Sequence, residues 1–340
     1  MAMRKMKNEV RCMDKLYDMI IVGSGPAGLS AAIYAQRARL DALVIERDMV
    51  SGGQVLTTYE VDNYPGLPGI NGFELGMKLR EHADKLGVQF VTDEVKRVET
   101  GSQKCGDRPG KEEFLHAAEL TPWGTDVKSV VCENGTYEAK TLLIATGARH
   151  QNLGVPGEAE FTGMGVSYCA TCDGAFFKNK TVAVVGGGDV ALEDAIFLAR
   201  ICEKVYLIHR RDALRGAKSL QENVFKQDNI EILWDTVVEE IAGEGRVERL
   251  RIKNKKTLKE SELPVQGVFI AVGIVPNSQS FQGLVEMEKG YIKAEEDTRT
   301  SAAGIFAAGD VRTKQLRQIV TAAADGANAV TSAERYLLGQ

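Results

Sequence analysis

Residues 17–28 read YDMIIVGSGPAG, a short apolar run that leads directly into closely spaced glycines. Gly23, Gly25 and Gly28 match the pattern G-x-G-x-x-G. In that pattern the first glycine permits a tight turn, the second lets a pyrophosphate approach the backbone, and the third lets helix pack on strand. An alanine-rich stretch with helical spacing follows, and then a second apolar run, ALVIE, which ends at Glu46. This order of strand, glycine turn, helix and strand predicts a βαβ unit of a parallel sheet.

The helix that follows the glycines would present unpaired N–H groups and the positive end of its dipole to a phosphate. Glu46 stands where a carboxylate accepts hydrogen bonds from a ribose diol. We interpret this loop as a dinucleotide site made of Gly23, Ser24, Gly25, Pro26, Ala27, Gly28 and Glu46. The alternative is a glycine-rich turn without a ligand.

A second stretch repeats the arrangement. TVAVVGG at 181–187 is followed by a helical segment and by the run VYLIH at 205–209. This second strand ends in arginines instead of an acid, and arginines form charge-assisted bonds to a 2′-phosphate that a carboxylate would repel. The sequence therefore predicts an NADPH site made of Gly186, Gly188, Asp189, His209, Arg210, Arg211 and Arg215. A solvated basic turn is the alternative.

Two such units predict an α/β protein with two Rossmann-like dinucleotide-binding domains. Further strands are expected at 141–147, 265–273 and 304–310, and a loop at 101–113. Chain breaks near 148–156 and 274–278 bracket the second unit, so we expect the NADPH domain to be inserted into the other one. The expected division is an N-terminal tail at 1–13, a first outer part at 14–150, the inserted domain at 151–275 and a second outer part at 276–340.

The segment SYCATCDG at 167–174 carries the chemistry, because Cys169 and Cys172 are separated by only two residues. This spacing lets one thiolate reach the other, so that one sulfur attacks a partner disulfide and the other resolves the mixed disulfide. Asp173 is adjacent and able to exchange the proton that each cycle moves. A structural zinc site would need four ligands, and neither a second cysteine pair nor a histidine cluster is present. Two bystander thiols are the other alternative.

The bulk composition excludes several classes of function. A net charge of −5 gives no reason to expect nucleic acid. No run of apolar residues is long enough for a membrane span, and the charged N-terminus is unlike a signal peptide. Six cysteines in 340 residues do not form a disulfide framework, which favours a cytoplasmic location. Either Met1 or Met13 can be the native start.

The combined motifs resemble those of the bacterial and archaeal thioredoxin reductases from about Tyr17 to Gly339. The resemblance rests on GSGPAG, GGQ, EVDNYPG, CATCDG, GGGDVALEDA, HRRDALR and GDVRTKQLRQIVTAAADG. A longer segment at 100–126, with Cys105 and Trp123, and the N-terminal tail depart from the family pattern. The resemblance implies an NADPH-dependent disulfide reductase that binds FAD tightly, forms homodimers and reduces thioredoxin.

Carried over to this sequence, the resemblance implies that Cys172 faces the flavin, that Cys169 attacks thioredoxin, and that Asp173 is the acid–base residue. It also implies further flavin contacts from Gly53, Gln54, Asn63, Gly309, Asp310, Arg317, Gln318 and Ile319. Three other functions stay open at this point. They are a relative that has a different electron donor or oxidises a small dithiol, a reductase for a peroxiredoxin, and a flavin-binding protein without catalytic activity.

Overall fold

The computed structural model describes residues 11–58, 60–101 and 126–339. Its described residues form two compact units. The first contains the residues up to Leu56, Gly72–Ala148 and those from Pro276 onward, and the second contains Thr57–Asn71 and Arg149–Val275. The sequence had placed residues 57–71 with the outer domain, whereas the structure groups them with the second unit.

The first unit is built on a seven-stranded sheet. Its strands lie in the order β3, β2, β1, β6, β5, β4, and β19 also pairs with β6. These strands are β1 (Arg11–Val22), β2 (Ala42–Glu46), β3 (Gln89–Thr92), β4 (Val95–Thr100), β5 (Lys128–Cys132), β6 (Gly135–Ile144) and β19 (Ile305–Ala307). The pairs of β1 with β2, β1 with β6, β2 with β3 and β6 with β19 are parallel, which confirms the predicted fold class.

Helices cover one face of this sheet, and a small hairpin accompanies them in the first unit. The helices are α1 (Pro26–Arg37), α2 (Gly72–Lys85) and α6 (Ile319–Leu337), and the hairpin strands are β17 (Met287–Glu288) and β18 (Tyr291–Ile292). Met19 and Ile21 of β1 belong to the core cluster that includes α1 and α6, while Ile20 and Val22 belong to the cluster on the opposite face. Burial on both faces explains why the predicted strand is a continuous apolar run.

The second unit has a parallel sheet of its own and a three-stranded antiparallel sheet. The parallel strands lie in the order β11, β10, β9, β15, β8, and the antiparallel ones in the order β12, β13, β14. Their bounds are β8 (Val166–Ser167), β9 (Thr181–Gly186), β10 (Lys204–Ile208), β11 (Ile230–Leu233), β12 (Thr236–Ala242), β13 (Arg249–Asn254), β14 (Glu260–Pro264) and β15 (Gly267–Ala271). The helices are α3 (Ala170–Asp173), α4 (Asp189–Ala199) and α5 (Lys218–Phe225).

The chain passes between the units at two short strands, β7 (Ala148–His150) and β16 (Ile274–Pro276), which pair with each other. The first strand of the protein begins at Arg11, so residues 11–13 of the expected tail belong to a sheet. Apart from Gly101, the expected loop at 101–113 lies outside the described residues, as does most of the longer segment at 100–126, including Cys105 and Trp123.

Candidate active site and cofactor sites

The cysteine pair lies on a tight turn of the second unit, residues 167–174, which we call the redox turn. Cys169 and Cys172 form a disulfide with their Cα atoms 5.3 Å apart, and both residues are half-buried. The short helix α3 packs against α4, and its Ala170 is fully buried. A Cβ at Gly174 would lie only 3.0 Å from the ring of Phe197, so this glycine permits the close packing. The disulfide can therefore form and break while the turn that carries it stays packed against α4.

Asp173 is held beside this disulfide. Its Oδ2 accepts a hydrogen bond from the hydroxyl of Ser167 over 2.5 Å, while its Oδ1 is buried without a partner in the described part of the chain. Burial raises the pKa of Asp173, and the hydrogen bond from Ser167 lowers it in part. A carboxyl with a raised pKa, next to the redox pair, is suited to donate and accept the protons of thiol–disulfide exchange.

Tyr168, between Ser167 and Cys169, is anchored to a buried carboxylate. Its hydroxyl donates to Oε1 of Glu158 over 2.8 Å, and Glu158 also accepts the backbone N–H groups of Leu153 and Gly154. His150 stacks on the Tyr168 ring with the ring centroids 5.2 Å apart. Burial, together with Glu158, raises the pKa of Tyr168 to about 12, so its hydroxyl stays protonated and acts as a donor. These contacts fix the strand that leads into the redox turn.

The first glycine motif has the geometry that its spacing predicted. Gly23 has a φ of +102°, and a Cβ there would lie 2.5 Å from the carbonyl oxygen of Ala145. A Cβ at Gly28 would lie 1.9 Å from the carbonyl oxygen of Gly23, so helix and turn touch at that point. At Gly25 the nearest atom would be 3.9 Å away. Gly23 and Gly28 are therefore required by packing, whereas the backbone at Gly25 is left open to an approaching group.

The segment Ser51–Gln54 lies against this motif. The N–H of Gly52 donates to the carbonyl of Ser24 over 2.9 Å, and a Cβ at Gly53 would lie 3.3 Å from Cα of Gly25. Arg80 of α2 donates to Oγ of Ser51 over 2.9 Å and stacks on the ring of Phe90. Gln54 lies in the 3-10 turn Gly53–Thr57, and Asn63 lies in the segment that groups with the second unit.

Asp310 follows β19 in a 3-10 turn, Gly309–Val311, whose backbone is held by a buried carboxylate. Asp325 accepts the N–H of Gly309, two bonds from Arg312 and one from Lys314, all within 2.9 Å. Burial opposes ionisation of Asp325, but the bonds from these two cations outweigh it and lower its pKa.

Two polar atoms of this region are buried without a partner among the described residues: Oδ1 of Asp310 and Nε of Arg317. Burial raises the pKa of Asp310. Unpaired buried polar atoms are costly, and a bound group that pairs with them accounts for their presence. The guanidinium of Arg317 stacks on Tyr291, and Gln318 caps the N-terminus of α6, which begins at Ile319. The open space at Gly25 and these unpaired atoms fit a flavin dinucleotide.

The second glycine motif connects β9 to α4. A Cβ at Gly186 would lie 2.5 Å from the carbonyl oxygen of Ala271, and one at Gly188 would meet nothing within 4 Å. Asp189 begins α4, and its Oδ1 accepts the N–H of Ala217 over 2.7 Å. The Asp189 carboxylate therefore ties the glycine motif to the loop that carries the arginines.

His209 was expected among the coenzyme contacts, but the structure gives it another position. Its side chain is 3% exposed, and its Nε2 forms a hydrogen bond with the carbonyl of Ala213. A Cβ at Gly187 would lie 2.3 Å from the ring, which therefore packs directly under the glycine turn. His209 therefore supports the loop from inside, and its contact with a coenzyme stays a prediction.

Arg210, Arg211 and Arg215 are exposed on the loop after β10. Within the described residues none of the three forms an ion pair with a carboxylate. Asp212, between them, is paired with Lys256, whose ammonium also binds Asp235. The nearby acid is thus neutralised, and the arginines are available to an anionic group.

Six residues near these sites had no assigned role in the sequence analysis: Ser167, Tyr168, Glu158, Arg312, Lys314 and Asp325. One signal was visible. Asp325 interrupts an alanine-rich helix and falls among positions that become buried, and a buried carboxylate requires partners. The others lie in ordinary-looking segments. The described residues contain no cluster of three metal-binding side chains, and none of their helices is long and apolar enough to cross a membrane.

The sequence of this chain is similar to those of known proteins over nearly its whole length. Residues 17–326 match the family model of the pyridine nucleotide-disulphide oxidoreductases. The chain is 45% identical to a thioredoxin reductase of Listeria innocua over 326 residues, with 95% of each chain covered. It is 43% identical to that of Bacillus subtilis, with 95% and 96% covered.

Two solved structures of thioredoxin reductases are similar to this chain in both sequence and fold. The thioredoxin reductase of Streptococcus pyogenes is 42% identical with a TM-score of 0.85, and 96% of this chain and 100% of that one are covered. The enzyme from Giardia duodenalis is 36% identical with a TM-score of 0.83 and the same coverage.

Proposed function

Because the chain belongs to the pyridine nucleotide-disulphide oxidoreductase family, and within it to the thioredoxin reductases, we propose that it reduces oxidised thioredoxin with electrons from NADPH. It is a flavoprotein oxidoreductase that uses FAD and NADPH. The observation that carries the proposal is the disulfide between Cys169 and Cys172, with the half-buried carboxyl of Asp173 beside it. This pair lies in the unit that also carries Arg210, Arg211 and Arg215.

Within this proposal, the first unit holds FAD. The residues of the first unit that hold it are those of the first glycine motif, Glu46, the segment Ser51–Gln54, Asp310 and the residues at the start of α6. When bound, FAD accepts hydride from NADPH and passes two electrons to the disulfide. Asp310 offers its unpaired oxygen, and Arg317 its unpaired N–H, to this group.

The second unit binds NADPH. Gly188 leaves room for the pyrophosphate, and the N-terminus of α4 offers unpaired N–H groups to it. Arg210, Arg211 and Arg215 bind the 2′-phosphate, which is present in NADPH and absent from NADH. His209 acts indirectly, by supporting the turn at Gly187.

The two sulfurs have different tasks. Two electrons break the Cys169–Cys172 bond and leave two sulfurs that take up protons. Cys169 then attacks the disulfide of thioredoxin, forms a mixed disulfide and releases one thioredoxin sulfur as a thiolate. Cys172 attacks Cys169, which re-forms the enzyme disulfide and releases reduced thioredoxin. Asp173 takes a proton from the attacking thiol and returns it to the departing thiolate.

We further propose that the enzyme acts in the cytoplasm, where NADPH is supplied, and that it forms a homodimer, as the family resemblance implies. Sedimentation equilibrium of the FAD-loaded protein tests the second point. A mass of one chain at micromolar concentration would contradict it.

The central experiment is NADPH oxidation by the FAD-loaded protein with a panel of oxidised bacterial thioredoxins. We expect turnover that depends on both NADPH and thioredoxin. A second measurement, bleaching of the flavin by NADPH without oxygen, separates the alternatives. A non-catalytic flavin protein would show no bleaching, and a reductase with another electron donor would bleach only with that donor.

A further inference from the structure

The hydroxyl of Ser167 connects the acid of the redox turn to its first cysteine. Oγ of Ser167 lies 2.5 Å from Oδ2 of Asp173, and the backbone N–H of Cys169 donates to the same Oγ over 3.1 Å. A serine hydroxyl has one proton and two acceptor lone pairs. Two acceptors lie within reach of that proton, Oδ2 of Asp173 at 2.5 Å and the carbonyl oxygen of Cys169 at 3.3 Å. The shorter, charge-assisted contact takes the proton, so Ser167 donates to the Asp173 carboxylate and accepts from the N–H of Cys169.

Ser167 is itself fixed in place. It is the last residue of β8, which pairs with β15 through Phe269 and Ser167, and its side chain is 5% exposed. The hydroxyl is therefore shielded from water, and its contacts are with Asp173 and Cys169. One buried oxygen, Oγ of Ser167, thus connects Asp173 to Cys169 within the redox turn.

Several charged residues lie on the segments next to Asp173, and their effect on its ionisation must be compared with that of the Ser167 hydrogen bond. Helix α4, which packs against α3, carries Asp189, Glu193 and Asp194, and the segment after the redox turn carries Lys178 and Lys180. In the described parts of the chain, none of these groups forms an ion pair with Asp173. The pKa of Asp173 is raised by burial and lowered by Ser167. Since Oδ1 has no partner among the residues that the structure describes, loss of Ser167 would remove a bond that the ionised form depends on.

We propose that Ser167 is a positioning residue for the thiol–disulfide step, which keeps Asp173 beside Cys169 and sets the pH at which Asp173 exchanges its proton. The inference rests on the proposed function, because Asp173 must be the group that moves protons there. In that step two protons pass from the enzyme thiols to the two sulfurs of thioredoxin, while the thioredoxin disulfide breaks and the Cys169–Cys172 disulfide forms. Ser167 gives up no proton. It stabilises Asp173 while the carboxylate is charged.

The test is the pH dependence of thioredoxin reduction by the FAD-loaded enzyme at saturating NADPH, with thioredoxin of Bacillus subtilis as substrate. Asp173→Asn identifies the ionisation by deleting its limb from the profile. In Ser167→Ala the same limb should move to higher pH, because the charged form of Asp173 has lost a donor. At a pH on that limb the rate should differ from wild type by about tenfold. Ser167→Thr retains the hydroxyl and should restore the wild-type position.

Two further measurements show that each variant is intact. Thermal unfolding and the flavin absorbance spectrum establish that it is folded and loaded with FAD. Anaerobic reduction of the flavin by NADPH, followed by stopped flow, should proceed in Ser167→Ala, because hydride transfer precedes the sulfur steps. A loss of rate confined to the thioredoxin step is the expected result.

The possible failures are distinguishable. If Asp173→Asn leaves the pH profile unchanged, the proposed role of Asp173 is wrong, and this inference falls with it. If Asp173→Asn deletes a limb of the pH profile that Ser167→Ala leaves at its wild-type position, the proposed role of Asp173 is supported. The proposed role of Ser167 is then overturned. If Ser167→Ala lowers the rate equally at every pH, Ser167 only supports the fold of the turn, which also overturns the inference.

Discussion

Ser24 and Glu46 are joined by two hydrogen bonds that end on one oxygen. The backbone N–H and the hydroxyl of Ser24 both donate to Oε2 of Glu46 over 2.7 Å, while the N–H of Asp48 donates to Oε1. The end of β2 thus holds the turn of the first glycine motif. Glu46 therefore stabilises the glycine turn of the protein, in addition to making the ribose contact proposed for it.

Glu46→Ala should therefore weaken FAD binding more than loss of a ribose contact alone. Hydrogen bonds to a charged group contribute about 1.5–3 kcal/mol each, so we expect the dissociation constant to rise by about a hundredfold. Glu46→Gln keeps an acceptor oxygen and should give an intermediate value. Titration of the flavin-free variants with FAD, followed by flavin fluorescence, measures this. Equal affinity of Glu46→Ala and wild type would show that the turn holds its shape without the carboxylate.

The exposed Arg210, Arg211 and Arg215, on the loop after β10, predict a strong preference for NADPH over NADH. Two charge-assisted bonds to the 2′-phosphate imply a kcat/KM ratio of NADPH over NADH of about a hundredfold or more. Arg210→Ala combined with Arg215→Ala should raise KM for NADPH and leave the kinetics with NADH nearly unchanged. Arg246→Ala, an exposed arginine on the β12–β13 turn, is the matched control and should change neither. Similar kcat/KM values for the two coenzymes in the wild type would falsify the assignment.

The two sulfurs can be told apart by trapping. Cys172→Ser lacks the resolving sulfur, so Cys169 should remain joined to thioredoxin in a mixed disulfide that survives non-reducing electrophoresis. Cys169→Ser should trap nothing and thus serves as the control. In both variants NADPH should still bleach the flavin, because hydride transfer precedes the sulfur steps. Trapping by Cys169→Ser alone would reverse the roles.

The buried thiols Cys132 and Cys202 should be inert. Burial raises their pKa to about 12 and about 11, so on the order of one molecule in a thousand or fewer holds a thiolate there at pH 8. Iodoacetamide at that pH, applied to the NADPH-reduced protein, should label Cys169 and Cys172 and leave the buried pair unmodified. Peptide mass mapping reads this directly. The oxidised protein is the control, since its Cys169–Cys172 disulfide cannot react. Labelling of Cys132 at a similar rate would show that its strand opens readily.

Local pattern was enough to predict the parallel sheets and the turns between their strands. The run ALVIE at 42–46 forms a strand with those bounds, and the glycines at 23 and 28 pack as their spacing requires. In such segments the residues that decide the structure are neighbours in the chain. A continuous apolar run followed by glycines has few other ways to bury its side chains.

The supporting contacts could not be predicted in the same way, because they join residues distant in sequence. Arg80 reaches Ser51 across 29 positions, and Asp325 reaches Gly309 across 16. His209 has a packing role that its sequence position did not indicate. Its place beside two arginines suggested a ligand contact, but the missing side chain of Gly187 leaves a cavity that the imidazole fills. Only the packed structure reveals which neighbour occupies the space above a glycine.

The pairing of β19 with β6 also determines when the first unit can be completed during translation. Helix α1 packs against α6, where a Cβ at Gly326 would lie 2.1 Å from the carbonyl oxygen of Ala27. Both β19 and α6 follow the second unit along the chain, whereas every strand of the parallel sheet of the second unit precedes them. The inserted unit therefore has all its strands available while the surrounding sheet still lacks one. A nascent chain that stalls before β19 would carry a coenzyme fold without a finished flavin fold.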